Sequence, residues 1–323
     1  MNTTTEQVLI NLRRADGYIS SAALCAALGV SRTAVWKHIR QLREQGYEID
    51  SAPNRGYRLR QSLNLPSELE IKPLLTTRYF GRRLRFLAEV DSTNAFAAEL
   101  ARNDAPEGTV VVADTQTAGR GRLQRQWHSP PGQNLYFSVI LRPQVMPNRA
   151  PQLALVTGLA LCRALRGMFP DLDPRAKWPN DVYLEGRKLA GILCAMVSEM
   201  ERVHHLIVGI GVNVNVTDFP AEIADRATSL QLATHNEISR PELLAAILGD
   251  LERAYDQWLE AGLDSFLDEW HAASHLTNRE ARIEVVNEQV RGTVLGINAQ
   301  GALRLREPNG NVREIIGGDV HVV

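Results

Sequence analysis

The stretch Gly119-Arg120-Gly121-Arg122-Leu123-Gln124-Arg125-Gln126-Trp127 stands between two apolar runs, residues 109–113 (TVVVA) and 134–141 (NLYFSVIL). Each run is short, rich in β-branched or aromatic residues and bounded by turn formers, which predicts two strands with a loop between them. The loop is too basic and too flexible to be packing filler. Its glycines let backbone N–H groups approach a ligand, and Arg120, Arg122 and Arg125 supply forked donors suited to carboxylate or phosphate oxygens. A charge run is more often a solvated surface loop, but alternating Gly and Arg inside a strand-loop-strand favours an anion site. The pattern is neither GxxxxGK[ST] nor the dinucleotide GxGxxG, so any nucleotide is held in some other way.

Working outward, residues 85–90 predict a strand that runs into Asp91-Ser92-Thr93-Asn94, the opening of a helix through Phe96 and Leu100. Small polar side chains there either cap the helix or hydrogen-bond a polar ligand, and the local pattern alone favours capping. Beyond the second strand, a helix over about residues 149–168 turns Leu153, Val156, Ala160, Ala164 and Leu165 toward a core. Lys177-Trp178-Pro179-Asn180-Asp181 follows. Pro179 is barred from a central strand, so Lys177, Asn180 and Asp181 are presented at the end of one. A hairpin turning at Glu185-Gly186 returns through residues 187–193 (RKLAGIL), where Lys188 sets a cation at a pocket rim. In residues 203–214 (VHHLIVGIGVNV) Gly209, Gly211 and Asn213 share one strand face, left bare for a flat ligand or close packing. His204 and His205 are adjacent, hence on opposite faces, which argues against a metal pair.

Two helices come next: one from the capping box Ser239-Arg240-Pro241-Glu242 to about residue 260, the other over residues 263–275. From residue 279, alternating segments at 282–286, 289–297, 302–306 and 312–316 predict a small β-barrel of SH3-like size.

At the other end, residues 5–14, 21–28 and 31–45 read as three helices, with Gly29-Val30-Ser31 as the tight turn of a helix-turn-helix. On the third helix Val35, Ile39 and Leu42 face a core, while Arg32, Trp36, Arg40 and Arg43, with Thr33 and Lys37 beside them, form the basic aromatic stripe that major-groove docking requires. Residues 47–49 and 57–59 flank the turn Pro53-Asn54-Arg55-Gly56, the hairpin wing of a winged helix, with Arg55 and Arg58 poised for phosphates. A polar segment at 61–68 containing Pro66 reads as a boundary. Residues 1–64 hold nine Arg/Lys against five Asp/Glu, a net of +4 that leaves −5 for residues 65–323, so the small basic end is the one to meet a polyanion.

The chain of 323 residues, 44% hydrophobic and 23% charged, has room for two or three domains. We expect residues 1–64 as a DNA-binding winged helix-turn-helix, 65–277 as the domain that carries the basic loop and its anion site, and 278–323 as the small β domain. The lack of a membrane-length apolar run, and a start without signal-peptide charge order, predict a cytoplasmic protein. Cys25, Cys162 and Cys194 are isolated among apolar residues and predict buried reduced thiols.

Gly119-Arg120-Gly121-Arg122 with Trp127, Ser129, Pro130 and Asn134-Leu135, then KWPND at 177–181, GRKLAGIL at 186–193 and the 209–213 strand closely resemble the biotin protein ligases. With the winged helix in front and the small β domain behind, the whole chain is similar to the bifunctional BirA type, ligase and biotin operon repressor together. The resemblance implies an α+β fold with a central mixed-sheet ligase domain like that of class II aminoacyl-tRNA synthetases. It implies that biotin and MgATP give biotinyl-5′-AMP and pyrophosphate, after which a lysine of the biotin carboxyl carrier protein takes the biotinyl group. Biotin, ATP and Mg²⁺ are then substrates and ion, without a tightly bound prosthetic group.

By the same resemblance Ser92, Thr93, Asn94 and Gln116 hold biotin's ureido ring, and the capping reading of 92–94 becomes the lesser one. Arg120, Gly121 and Arg122 meet biotin and the adenylate phosphate, and Gly209 and Gly211 floor the pocket. Lys188 bridges the biotin carboxylate and the α-phosphate. Gly119, Arg120, Arg122, Lys177, Asn180 and Asn213 serve the nucleotide, Asn213 at the adenine, and Asp181 is the magnesium or water-mediated partner. Lys188, Arg122 and Asp181 carry the chemistry. Biotinyl-5′-AMP promotes a homodimer that binds operator DNA. Two positions depart from the family pattern: Gln124 stands where glycine is usual, and Cys194-Ala195 where an acidic residue commonly follows the GRKLAGIL strand. A non-catalytic, biotin-sensing repressor is the rival reading; a lipoate ligase relative fits the fold but neither KWPND nor the winged helix.

Overall fold

The computed structural model describes residues 3–61, 63–285 and 288–323. The chain divides into two units, Met1–Leu65 and Pro66–Val323. In the first, α1 (Thr3–Arg14), α2 (Ser21–Leu28) and α3 (Arg32–Glu44) precede the hairpin of β1 (Glu48–Ala52) and β2 (Gly56–Gln61). Val8, Leu9, Leu12, Leu24, Val35, Ile39 and Leu42 are all buried, as their helical spacing requires. Ser20 and Ser31 cap α2 and α3, accepting from the N–H groups of Ala23 (3.1 Å) and Ala34 (3.2 Å). Gly29, at φ +65°, stops α2. The wing begins at Gly56, where a Cβ would stand 2.1 Å from the Ile19 carbonyl oxygen; Ile19 pairs with Tyr57 there and ties the wing to the α1–α2 connection. His38, outside the expected stripe, is buried with Nδ1 2.9 Å from Thr5 Oγ1.

The second unit runs through α4 (Glu68–Ile71), β3 (Leu84–Val90), α5 (Thr93–Arg102), β4 (Val110–Gln116), β5 (Leu135–Leu141), α6 (Gln152–Met168), β6 (Arg175–Lys177), β7 (Asp181–Leu184), β8 (Arg187–Ser198) and β9 (Val203–Val212). It continues with α7 (Leu230–Thr234), α8 (Arg240–Ala261), α9 (Leu267–Ala273), β10 (Glu280–Val285), β11 (Glu288–Ile297), β12 (Leu303–Arg306), β13 (Val312–Ile315) and β14 (Asp319–Val322). The seven-stranded sheet has the order β3-β4-β5-β9-β8-β7-β6, with β3 and β4 parallel and the remaining neighbours antiparallel. Every position of β5 is buried because the strand is covered on both faces. Phe137 and Val139 join the core under α6 and α8, while Ile140 packs with Val111 and Ile207 beneath α5.

The last five strands make an antiparallel sheet in the order β13-β12-β11-β10-β14. Strand β14 was not expected from the sequence. Val286, the end of the first expected strand here, lies outside the described residues. The helix expected over 263–275 divides into a 3-10 turn, Leu263–Phe266, and α9, because Gly262 at φ +70° ends α8 and the chain re-enters through a tighter turn. Cys162 is buried and Cys194 packs half-buried against the core, and the lost hydration pushes both thiols up to about 12; Cys25 is only partly covered.

Candidate active site and nucleic-acid interface

Strands β8 and β9 build the floor of a cavity of about 650 Å³. Their register sets Gly191 opposite Gly211 and Leu193 opposite Gly209. A Cβ at Gly209 would meet Asn94 Oδ1 at 1.9 Å, and one at Gly211 would meet the Trp127 indole at 2.6 Å. The bare face read from sequence is therefore real, and two side chains from elsewhere in the chain rest on it. Trp127 comes from the basic loop, Asn94 from the start of α5.

Asn94 is held at both ends: its Nδ2 donates to the Leu193 carbonyl (3.0 Å), and Ser138 Oγ lies 2.6 Å from its Oδ1. Thr93 donates from N–H and Oγ1 to Gln116 Oε1 (2.9 and 3.1 Å), and Gln116 Nε2 donates to Ser129 Oγ (3.3 Å). Ser92 caps α5 and also lines the cavity, so the two readings of residues 92–94 coexist. Ser138, fully buried 2.8 Å from Thr93 Oγ1, was missed in the sequence reading. Its signal was a small polar residue in the middle of the apolar run LYFSVIL.

Farther along β8 the cavity turns cationic. Lys188 Nζ stands 2.6 Å from Asp181 Oδ1 and 5.5 Å from the Trp127 ring centre. Arg122 Nη1 donates to Asn180 Oδ1 (3.3 Å), and Asn180 Nδ2 to the Ile192 carbonyl (2.7 Å). Lys177 Nζ donates to the Tyr183 hydroxyl (2.9 Å); burial lowers the Lys177 pKa, with the charges of Asp181 and Asp319 opposing that shift. In the basic loop Gly121 N–H donates to Arg125 O (2.7 Å) and Trp127 N–H to Gly119 O (2.9 Å), while Arg120 Nη1 reaches Gln124 Oε1 (3.1 Å). Leu123 and Gln124 are both left-handed, at φ +55° and +60°. The position where the family favours glycine is thus one whose backbone favours glycine, and Gln124 adopts it at a cost of about 1 kcal/mol.

The chain distant in sequence closes the cavity. Asp319, Val320 and His321 of β14 line it, as do Phe219, Ile223 and Arg226, and Arg125 pairs with Asp319. None of these wall residues was singled out from sequence, because the register that brings them here is tertiary.

Asn213 lines the cavity, and its Nδ2 donates to the carbonyls of Thr228 (3.0 Å) and Lys188 (3.5 Å), bracing the Lys188 segment. Asp181 already neutralises Lys188, and no cluster of three metal-ligating side chains exists among the described residues. A Mg²⁺ carried in on phosphate oxygens would find the Asp181 carboxylate at the cavity wall.

In the first unit Arg32, Thr33, Trp36, Lys37 and Arg40 are exposed along α3, Trp36 at 52%. Arg40 lies over the Trp36 ring and pairs with Glu44 (3.5 Å). Arg43, also exposed, folds back so that its Nε donates to the Ile49 carbonyl (3.0 Å) and ties the wing to α3. Arg55 and Arg58 flank the Tyr18 ring at 4.3 and 5.0 Å.

A cavity graded from amides to cations in a mixed sheet, carried on one chain with a winged helix, defines a protein that handles a polar ligand with an anionic end and also meets nucleic acid. Residues 86–213 match the biotin/lipoate A/B protein ligase family, residues 4–58 an HTH domain and residues 278–323 the biotin protein ligase C terminal domain. The chain is 39% identical over 329 residues to the bifunctional ligase/repressor BirA of Bacillus subtilis, covering 100% of both chains. It is 32% identical to that of Escherichia coli, covering 99% of this chain and 97% of the relative. The structure of the biotin protein ligase of Aquifex aeolicus in complex with biotin and ATP superposes with a TM-score of 0.66 at 33% identity, over 75% of this chain and 99% of that one. The chain belongs to the biotin protein ligase family, in its bifunctional ligase/repressor branch. No helix among the described residues is long and apolar enough to cross a membrane.

Proposed function

We propose that this chain condenses biotin with MgATP to biotinyl-5′-AMP and pyrophosphate, transfers the biotinyl group to a lysine of the biotin carboxyl carrier protein, and represses the biotin operon with biotinyl-5′-AMP as corepressor. One observation carries the reading: a single cavity grades from the hydroxyls and amides of Ser92, Thr93, Asn94 and Gln116 to the cations Arg122, Lys177 and Lys188. A cyclic urea needs the first set and an acyl phosphate the second. The relative solved with biotin and ATP supports the same pairing of ligands.

In the first step a biotin carboxylate oxygen attacks the α-phosphorus and the bond to the bridging oxygen of pyrophosphate breaks. Two anions must meet, so Lys188 stands between them and Arg122 offsets charge building on the α-phosphate. Lys177 and Asn180 face the remaining phosphates, with Gly119, Arg120 and Gly121 giving backbone and side-chain donors along the loop. The loop folds over the adenylate and excludes water from a hydrolysable bond. Gly209 and Gly211 let Asn94 and the Trp127 indole lie against the floor of the biotin end of the cavity. In the second step the carrier lysine amine attacks the acyl carbon, AMP leaves, and the nitrogen gives up a proton.

The repressor half of the reading takes α3 into the major groove through Arg32, Thr33, Trp36 and Lys37, with Arg55 on phosphates, and takes the operator-bound form as a homodimer induced by biotinyl-5′-AMP. The reading places this work in the cytoplasm. Incubation with ATP, labelled biotin and a biotin carrier domain tests the enzyme: a labelled lysine is expected, and biotin binding without label would establish a non-catalytic sensor instead. Operator binding no tighter than to random duplex at one fixed salt concentration would overturn the repressor half.

A further inference from the structure

Tyr183 has a part in this cavity that no motif announces. Within the hairpin of β6 and β7, Arg175 pairs with Tyr183 and Lys177 with Asp181, so Lys177 and Tyr183 are diagonal neighbours within reach of long side chains. The Lys177 ammonium donates to the Tyr183 hydroxyl at 2.9 Å and lies 4.4 Å from the ring centre. Lys188 nearby is paired with Asp181, whereas Lys177 makes no ion pair among the described residues. Its partner is a neutral oxygen, which orients the ammonium without cancelling its charge.

Tyr183 is itself fixed. His275 lies against it with ring centres 4.9 Å apart, and the His275 backbone N–H donates to the Ala176 carbonyl at 2.8 Å, anchoring that residue to β6. Burial, with the charges of Arg279, Lys177 and Arg175, brings His275 down to about 4, so the ring behind Tyr183 stays neutral.

We propose that Tyr183 is a positioning residue for the triphosphate: hydroxyl and ring together aim Lys177, which no carboxylate contacts directly among the described residues, at the phosphoryl groups that depart as pyrophosphate. The proposal rests on the ligase reading and adds to it how one cation is kept available. The hydroxyl matters for ATP and pyrophosphate, and biotin is indifferent to it.

Biotin-dependent ATP–pyrophosphate exchange is measured for the wild type, Tyr183→Phe, Lys177→Ala and the double variant. Tyr183→Phe is expected to raise KM for ATP about 5- to 10-fold, the effect of one charge-assisted hydrogen bond, with kcat and the KM for biotin nearly unchanged. In the Lys177→Ala background the same substitution is expected to add nothing. An unchanged KM for ATP, or an equal loss in both backgrounds, overturns the proposal, since a merely structural tyrosine would act independently of Lys177. A wild-type protein without exchange activity would instead sink the ligase reading and this inference with it.

Discussion

Replacing Lys188 with alanine tests the chemistry most directly. Its ammonium sits 2.6 Å from Asp181 Oδ1, and the Asp181 side chain is only 17% exposed. The substitution removes one donor from a charge-building centre, a loss of about 3 kcal/mol or 10²- to 10³-fold in rate. It also strips Asp181 of its countercharge. An uncompensated carboxylate about 4 Å from an arriving anion, at an effective dielectric near 20, adds repulsion of up to about 4 kcal/mol. Adenylation by Lys188→Ala should therefore fall by at least about 100-fold. The companion Lys188→Ala/Asp181→Asn, which removes the orphaned charge, should recover about tenfold of that loss. Single-turnover formation of biotinyl-5′-AMP reads both. Because Asp181 Oδ1 is buried, the single variant is also expected to lose stability, so its melting temperature is measured alongside and adenylation is compared below that temperature. Near wild-type adenylation by the single variant, or a double variant no faster than the single, would refute the reasoning.

Gly209→Ala places a methyl 1.9 Å from Asn94 Oδ1, which Ser138 and Leu193 hold in place, so biotin affinity should drop at least about tenfold by calorimetry. His275, held at about 4 against a usual 6.5, takes up its proton more readily when the chain is unfolded; its contribution to stability is present above pH 6.5 and lost as pH falls toward 4. The melting temperature of the wild type should thus decline more steeply over that window than that of His275→Gln, and parallel declines would contradict the assignment. Arg55→Ala should weaken operator and random duplex alike and reduce the slope of log affinity against log salt by about one unit; a loss confined to the operator would mean that Arg55 reads bases.

Much of this protein was legible because local rules and tertiary packing agree. Ser20 and Ser31 cap helices where serine should, Val35, Ile39 and Leu42 are buried at their expected spacing, and the Gly209/Gly211 face is bare. A side chain placed by its own strand or turn, such as Lys188 after the Glu185-Gly186 turn, could be set at a pocket rim from spacing, and its role was implied by the family resemblance. What fills a bare face could not. Trp127 and Asn94 converge on β9 from the basic loop and from α5, and no periodicity links segments that far apart.

The residue sequence by itself determined the helix caps, the strand alternation and the inventory of cations and glycines, since each depends on neighbours within about one turn or one hairpin. Only the tertiary structure decided which of those groups remain available. It committed Asn213 to two carbonyls, gave Asp181 to Lys188 and Arg43 to the wing, and left Lys177 with a neutral tyrosine. The physical reason is that a polar side chain's role depends on who already occupies its hydrogen bonds, and those partners arrive through sheet register and loop closure.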